Sequence, residues 1–195
     1  MIYKTNNAFY ELIRKIEENP VIAAVRKQQD IEVAANSSVT TVFLLKTDIL
    51  NAEKDVLRIK QNNKNIFIHI ELMEGIGKDN KAIDYIAEII KPSGIITTRM
   101  NQVKHAKEKG ICVIQRFFLV DSQSYETAIN SMKLIKPDMV EIMPAVMPKI
   151  ISRFCNDVQL PIIAGGLINN KEDMLCALNA GALGISVGKK ELWQL

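Results

Sequence analysis

Cysteine, histidine and tryptophan are scarce in this chain, with three, two and one respectively in 195 residues, and the scarcity excludes several chemistries. Cys112, Cys155 and Cys176 are odd in number, far apart and in no CxxC or metal-ligand spacing, which argues against a disulfide framework or a zinc site. They read as reduced thiols packed like small apolar side chains. No apolar run approaches the roughly 18 residues of a membrane helix. The amino-terminal MIYKTNNAFYELIRKIEENP has no apolar core of the kind a secretory signal needs, so a cytoplasmic protein with no membrane partner is expected. An excess of one charge is missing too: 25 basic against 22 acidic side chains leave +3. That balance gives no strong non-specific attraction to nucleic acid, which scales with the phosphates neutralised. Any basic RNA-binding face is therefore local, or is assembled by a homo-oligomer. Linkers, low-complexity segments and solenoid repeats are absent as well, so residues 1–195 read as one domain.

What is abundant is short apolar, β-rich runs. VIAAV begins at Val21, TTVFLL at Thr40, IFIHI at Ile66 and GIITT at Gly94; ICVIQ follows at Ile111, MVEIM at Met139, PIIAG at Pro161 and LGISV at Leu183. Strands buried on both faces read as such near-continuous runs, and crossover helices fill the intervals. A helix over 7–18, within the segment 1–19, precedes the first strand. Asp48 is placed to cap ILNAEKDVLRIK, with Ile49, Val56, Leu57 and Lys60 along one stripe. DNKAIDYIAEII starts at Asp79 and stops before Pro92. MNQVKHAKEKG ends on Gly110, a helix C-cap. DSQSYETAINSMKLIK starts at Asp121 or Ser122 and ends before Pro137, and NNKEDMLCALNAG closes on Gly181. Eight strand-like runs with helices between most of them indicate a compact α/β fold, a closed (β/α)₈ TIM-type barrel of parallel strands and short helices. The alternative, an open doubly wound sheet, usually needs fewer strands.

In such a barrel ligands sit at the carboxyl ends of the strands. Those ends carry Arg26, then Lys46 with Asp48, His69 with Glu71, and Thr97, Thr98 and Arg99. Gln115 with Arg116, Glu141, Gly165 with Gly166, and Ser186 with Gly188 complete the ring. Residues two apart share a strand face, which groups His69 with Glu71 and Thr97 with Arg99. Paired glycines after the seventh strand and Ser186-Val187-Gly188 at the eighth occupy the two loops where many barrels bind phosphate, because glycine lets backbone N–H groups approach an anion. A tight turn is the plainer reading of the glycines. His69 and Glu71 suit a ligand contact or polar network, and equally a base with its orienting partner. Glu71 and Glu141 are too few, with one histidine nearby, to specify a metal. Arg26, Arg99 and Arg116 either clamp an anion or pair with those acids. Lys104, Lys107 and Lys109, like Lys133 and Lys136, read as solvated helix faces. No aromatic stacking position stands beside them, since Phe117 and Phe118 follow a strand and are expected to be packed.

ENPVIAAVR, HIELMEGIGKD and IKPSGIITTRMNQVKHAKEKGICVIQRFFLVDSQS, with PDMVEIMPAVMPKII and LPIIAGGLINNKEDMLCALNAGALGIS, together resemble the glycerol-3-phosphate-responsive antiterminator family from Glu18 to Leu195. The resemblance implies a bacterial regulator, not an enzyme, built as a barrel. Such a protein senses glycerol 3-phosphate without a further cofactor and promotes read-through of a terminator in the leader mRNA of glycerol-uptake genes. It also implies a ligand-facing set of Arg26, His69, Glu71, Thr98, Arg99, Gln115, Arg116, Glu141, Gly165, Gly166 and Ser186, to which Gly188 adds backbone access. The chain departs from the family pattern at Lys46, where an acidic residue is common, and at Ser186-Val187-Gly188, where members often read T-S-N. The competing class is a phosphate-binding barrel enzyme, an isomerase, aldolase or phosphodiesterase, with His69, Glu71 and Glu141 supplying acid–base or metal chemistry. A ligand-binding protein without an RNA role is a third reading.

Overall fold

A computed structural model describes residues 7–195. The proposed amino-terminal segment 1–19 is therefore seen from residue 7 onward, and the part over 1–6 lies outside the described residues. Eight strands close into one parallel barrel: β1 (Val21–Val25), β2 (Thr41–Leu44), β3 (Asn65–His69), β4 (Gly94–Thr97), β5 (Cys112–Phe118), β6 (Met139–Met143), β7 (Ile162–Gly165) and β8 (Gly184–Val187). Each pairs with its neighbours in sequence, and β8 returns to β1 through Val21 opposite Ile185. All eight apolar runs of the sequence are strands.

Alternation along the strands creates two cores. Ile22, Phe43, Phe67, Ile96, Ile114, Met139 and Ile163 point inward and fill the barrel, where Phe43 and Phe67 meet edge-on with ring centroids 5.7 Å apart. Leu12 and Ile16 of α1 (Asn7–Glu18) join this inner core and plug the amino-terminal end. The intervening residues, Val42, Ile68, Ile95, Val113 and Val140 among them, point outward against the helices. These are α2 (Ile31–Asn36), α3 (Ala52–Gln61), α4 (Asn80–Tyr85), α5 (Met100–Glu108), α6 (Ser122–Ile135), α7 (Pro148–Asp157) and α8 (Lys171–Asn179). Because one end is plugged and the interior is apolar, the carboxyl ends of the strands are left as the polar mouth.

Several local expectations need correction. Asp48 does not cap α3: its carboxylate accepts from the N–H groups of Leu50 and Asn51, forming a turn that delays the helix to Ala52. Asp48 and Thr47 instead pair with Met73 and Glu74 in a two-stranded sheet beside the mouth, an element the apolar pattern did not announce. Leu57 is exposed, and Ala52, Val56 and Ile59 form the buried stripe of α3. The helix expected from Asp79 is present, with the Asp79 carboxylate accepting from the Ala82 N–H, but its last turn, Ile86–Ile90, is a π-helix. Helix α7 was not anticipated. Phe118 belongs to β5 and is 54% exposed, because the strand outruns the barrel at that point. Cys112 and Cys155 are half-buried, and burial pushes both thiols up; Cys176 is exposed on α8.

Candidate functional site

Four adjacent strands build the centre of the mouth. Arg116 on β5 lies directly opposite Glu141 on β6, and its Nε donates to Glu141 Oε2 at 2.6 Å. The hydroxyl of Ser186 on β8 donates to the other carboxylate oxygen, Oε1, also at 2.6 Å. Strand β7 runs between β6 and β8, so this second bond has to pass over it. It can do so only because residue 165 is glycine: a Cβ there would stand 2.3 Å from Ser186 Oγ and 2.6 Å from Glu141 Oε1. Glycine at this position thus makes room for a side-chain bridge rather than for an anion.

Glu141 is fully buried and Arg116 is 5% exposed. Both carboxylate oxygens are satisfied by these partners, which is what a buried charge requires. With Nε committed, the terminal guanidinium nitrogens of Arg116 have no protein acceptor among the described residues. Arg116 lines a cavity of 210 Å³ together with Arg26, Gly166, Ser186, Gly188 and Lys189. That is small beside the roughly 300–1,000 Å³ of sites for drug-sized molecules. Three cations face it while the one acid nearby is neutralised in place, so its potential favours a small anion. Gly166 has φ +82° and its Cβ would meet Met143 Cε at 2.8 Å, whereas a Cβ on Gly188 would meet nothing within 4 Å.

A second depression, 730 Å³, adjoins the first through Arg26 and Leu45 and is bordered by Lys46, Glu71, Glu74 and Lys78. Lys46 pairs with Glu74 at 3.0 Å in solvent. Glu71 is not on the face of β3, as its spacing from His69 suggested; it sits in the 3₁₀ turn Ile70–Leu72, which curls the carboxylate back over the strand end. There Oε1 accepts from the Thr97 hydroxyl at 2.5 Å and from the Thr98 N–H at 3.1 Å. Oε2 lies 3.1 Å from His69 Nδ1, but off line, so both buried atoms attract without a directed hydrogen bond. Burial raises the Glu71 pKa, yet the His69 contact, the Thr97 hydroxyl and a main-chain N–H outweigh it and hold the carboxyl at about 2.

Two members of the expected ligand set are placed elsewhere. Gln115 points outward, because its neighbour Arg116 points inward, and its amide donates to Ser131 of α6 at 3.1 Å. It is buried between strand and helix and does not reach the mouth. Arg99 is exposed at the start of α5; β4 ends at Thr97, so the two do not share a strand face. Lys189, the residue after Gly188, lines the cavity as well. A larger cavity of 550 Å³ lies at the opposite end beside α1, where Phe9, Leu12, Ile111 and Cys112 are its apolar wall. Its charges, Lys107 and Asp138, are already paired at 3.2 Å, so it offers no free charge to a ligand. Among the described residues no three metal-ligating side chains converge.

A closed parallel barrel, plugged at one end and carrying a small cation-lined cavity at its carboxyl end, defines the class of this protein as a (β/α)₈ barrel with an anion-attracting mouth. Within that class the chain belongs to the glycerol-3-phosphate responsive antiterminator family, whose sequence profile matches residues 21–193. Uncharacterized protein YgcP of Escherichia coli K12 is 33% identical over 184 residues, 94% of this chain and 96% of that protein. The glycerol uptake operon antiterminator regulatory protein of Listeria monocytogenes superposes with a TM-score of 0.86 at 30% identity, over 90% of this chain and 95% of that one. A glycerol uptake operon antiterminator-related protein of Thermotoga maritima gives 0.79 at 30% identity, over 90% and 98%. No helix among the described residues is long and apolar enough to cross a membrane.

Proposed function

We propose that this chain is a cytoplasmic glycerol 3-phosphate sensor that controls read-through of a terminator in the leader mRNA of glycerol-uptake genes. The observation that carries the sensor reading is the Arg116–Glu141–Ser186 bridge, which fixes a buried guanidinium with its terminal nitrogens uncommitted at a cation-lined cavity. The phosphate sits among Arg116, Arg26, Lys189 and the main chain of Gly166 and Gly188. The glycerol hydroxyls extend toward His69, Glu71 and Thr98. The bound ligand changes RNA affinity to the extent that it favours one state of the loops around the mouth.

Calorimetric titration with glycerol 3-phosphate tests this, with glycerol and inorganic phosphate as controls. Gly188→Asp is the informative variant, because open space surrounds its Cβ and a carboxylate there repels the phosphate without disturbing the fold. Saturable binding that needs both moieties and is lost in Gly188→Asp supports the site; equal binding by variant and wild type removes it. The His69–Glu71 contact favours a second reading, an enzyme in which the carboxylate orients the imidazole as a base. Turnover of a triose phosphate that disappears in His69→Ala would establish that reading in place of the regulator.

A further inference from the structure

Half of the mouth is apolar where water meets it. Phe118 is 54% exposed, Val120 78% and Leu167 66%, and Val146 is exposed as well. Phe118 ends β5 and the other three stand on the loops that follow β5, β6 and β7, three neighbouring strands. Phe118 has the parity of Arg116 and so rises above it on the inward face of β5. Main-chain bonds continue the sheet past the barrel and hold these loops together: the Leu119 N–H donates to Met143 O at 2.8 Å and the Ala145 N–H to Gly166 O at 3.2 Å. Leu167 is kept at φ +62°, a conformation a leucine adopts only when its surroundings impose it. Large apolar side chains held outward on a braced ledge mark an interaction surface.

Charge selects the occupant. Between strand end and the next α-helix, and after β8 as far as residue 195, the segments following β5 to β8 and β1 carry Arg26, Lys27, Lys189 and Lys190 against Asp30, Asp121 and Glu191. Lys190 and Asp30 pair at 2.9 Å and Asp121 caps α6, which leaves Arg26, Lys27 and Lys189 against Glu191. The loops after β2, β3 and β4 reverse the balance, with Asp48, Glu71, Glu74 and Asp79 against Lys46, Lys78 and Arg99. A second copy docked by a two-fold axis would set the cations of the ledge against themselves. A single-stranded nucleic acid satisfies both features, its phosphates meeting the cations and its unpaired bases meeting the apolar ridge.

Resting on the RNA half of the reading above, we propose that unpaired leader RNA docks across the mouth, with a base stacked on Phe118 and its backbone beside Arg26, Lys27 and Lys189. The RNA surface and the ligand cavity are then contiguous: Leu167 lines the cavity and also forms part of the ridge.

The test starts from a randomised single-stranded RNA pool enriched on wild-type protein in the presence of glycerol 3-phosphate. Affinity of an enriched RNA is then measured for Phe118→Ala and Phe118→Trp, with sedimentation and melting temperature recorded for each. Removing one stacked ring is expected to weaken RNA binding on the order of 5- to 150-fold, with tryptophan restoring it and melting unchanged in both. Unaltered RNA affinity in Phe118→Ala overturns the proposal and leaves the RNA reading standing, with its surface elsewhere. So does a dimer that Phe118→Ala converts to monomer with RNA binding intact, which makes the ridge a subunit interface. If wild type enriches no RNA, this proposal and the RNA half of the function fall together, while the calorimetric titration still decides the sensor half.

Discussion

Gly165 and Gly188 border the same site but are small for different reasons. At 165 the missing Cβ is occupied by the Ser186–Glu141 hydrogen bond; at 188 it is empty space. Gly165→Ala should therefore force apart the bridge and cost about 1–3 kcal/mol, as overpacking does. Gly188→Ala should stay within about 0.5 kcal/mol of wild type. Urea unfolding of the two variants checks the contrast, and equal stabilities would show that the bridge relaxes without cost. Glu71 gives a pH-dependent counterpart. Its folded pKa of about 2 lies below the ordinary 4.5, so its contribution to stability is fully present above about pH 4.5. That contribution is lost as pH falls through about 2. Wild type and Glu71→Gln should thus converge in stability as urea melts are repeated from neutral to acid pH; a constant gap would show that the carboxylate is no better placed in the fold than in the unfolded chain. These residues also mark how far a sequence reveals side-chain direction. Arg116 and Glu141 were legible because strand ends were legible. Gln115 was grouped with Arg116 although a period of two sends neighbours to opposite faces, and Glu71 was read as strand although β3 had already turned into a 3₁₀ bend.

Helix ends were more legible than side-chain direction. Lys91-Pro92 and Lys136-Pro137 stop their helices because proline bars the preceding residue from continuing the α conformation. Both lysines take left-handed backbones, with φ of 52° and 51°. The structure adds what one-dimensional reading misses: the exposed carbonyls at these ends are met from the neighbouring helix, Lys60 Nζ donating to Lys91 O and Lys107 Nζ to Lys136 O, both at 2.5 Å. Two of the lysines read as a solvated basic face, Lys107 and Lys109, are thus engaged in the fold, Lys109 with Asp84 at 2.9 Å. Helix α7, where the sequence reading has no helix, opens on Pro148, a first position that suits proline. Helix α8, which starts just past the cavity, depends on Asn170, whose side chain accepts from the Asp173 N–H at 2.8 Å. Asn170→Ala is expected to cost about 0.5–2 kcal/mol, and Asn170→Ser to recover most of it, in urea titrations. No difference between the two variants would mean that packing of Met174 and Ala177 alone fixes the helix start.

At the scale of the molecule, the number of apolar runs, eight, is what favours a closed barrel over an open doubly wound sheet, since burial of the strands on both faces is common to the two. The chain closes the barrel within 195 residues by using short crossovers, such as α2 with six residues. A barrel does not specify a function, because the same fold hosts many chemistries. What separates a sensor from a scaffold is whether the small molecule binds the folded state tightly enough to shift its equilibria. Binding to the native state alone stabilises by about 2.7 kcal/mol when free ligand is at 100 times its Kd. In a domain of this size each kcal/mol raises the melting temperature by roughly 2–4 °C, so glycerol 3-phosphate at that excess should raise it by about 5–11 °C. Glycerol lacks the charge that Arg26, Arg116 and Lys189 attract, and inorganic phosphate lacks the hydroxyls that would reach His69, so each should give a smaller shift at equal concentration. Differential scanning fluorimetry across a ligand series measures all three. The Gly188→Asp protein, equally stable without ligand, should lose the response; a shift that survives in it would place the bound molecule outside this cavity, whatever its affinity.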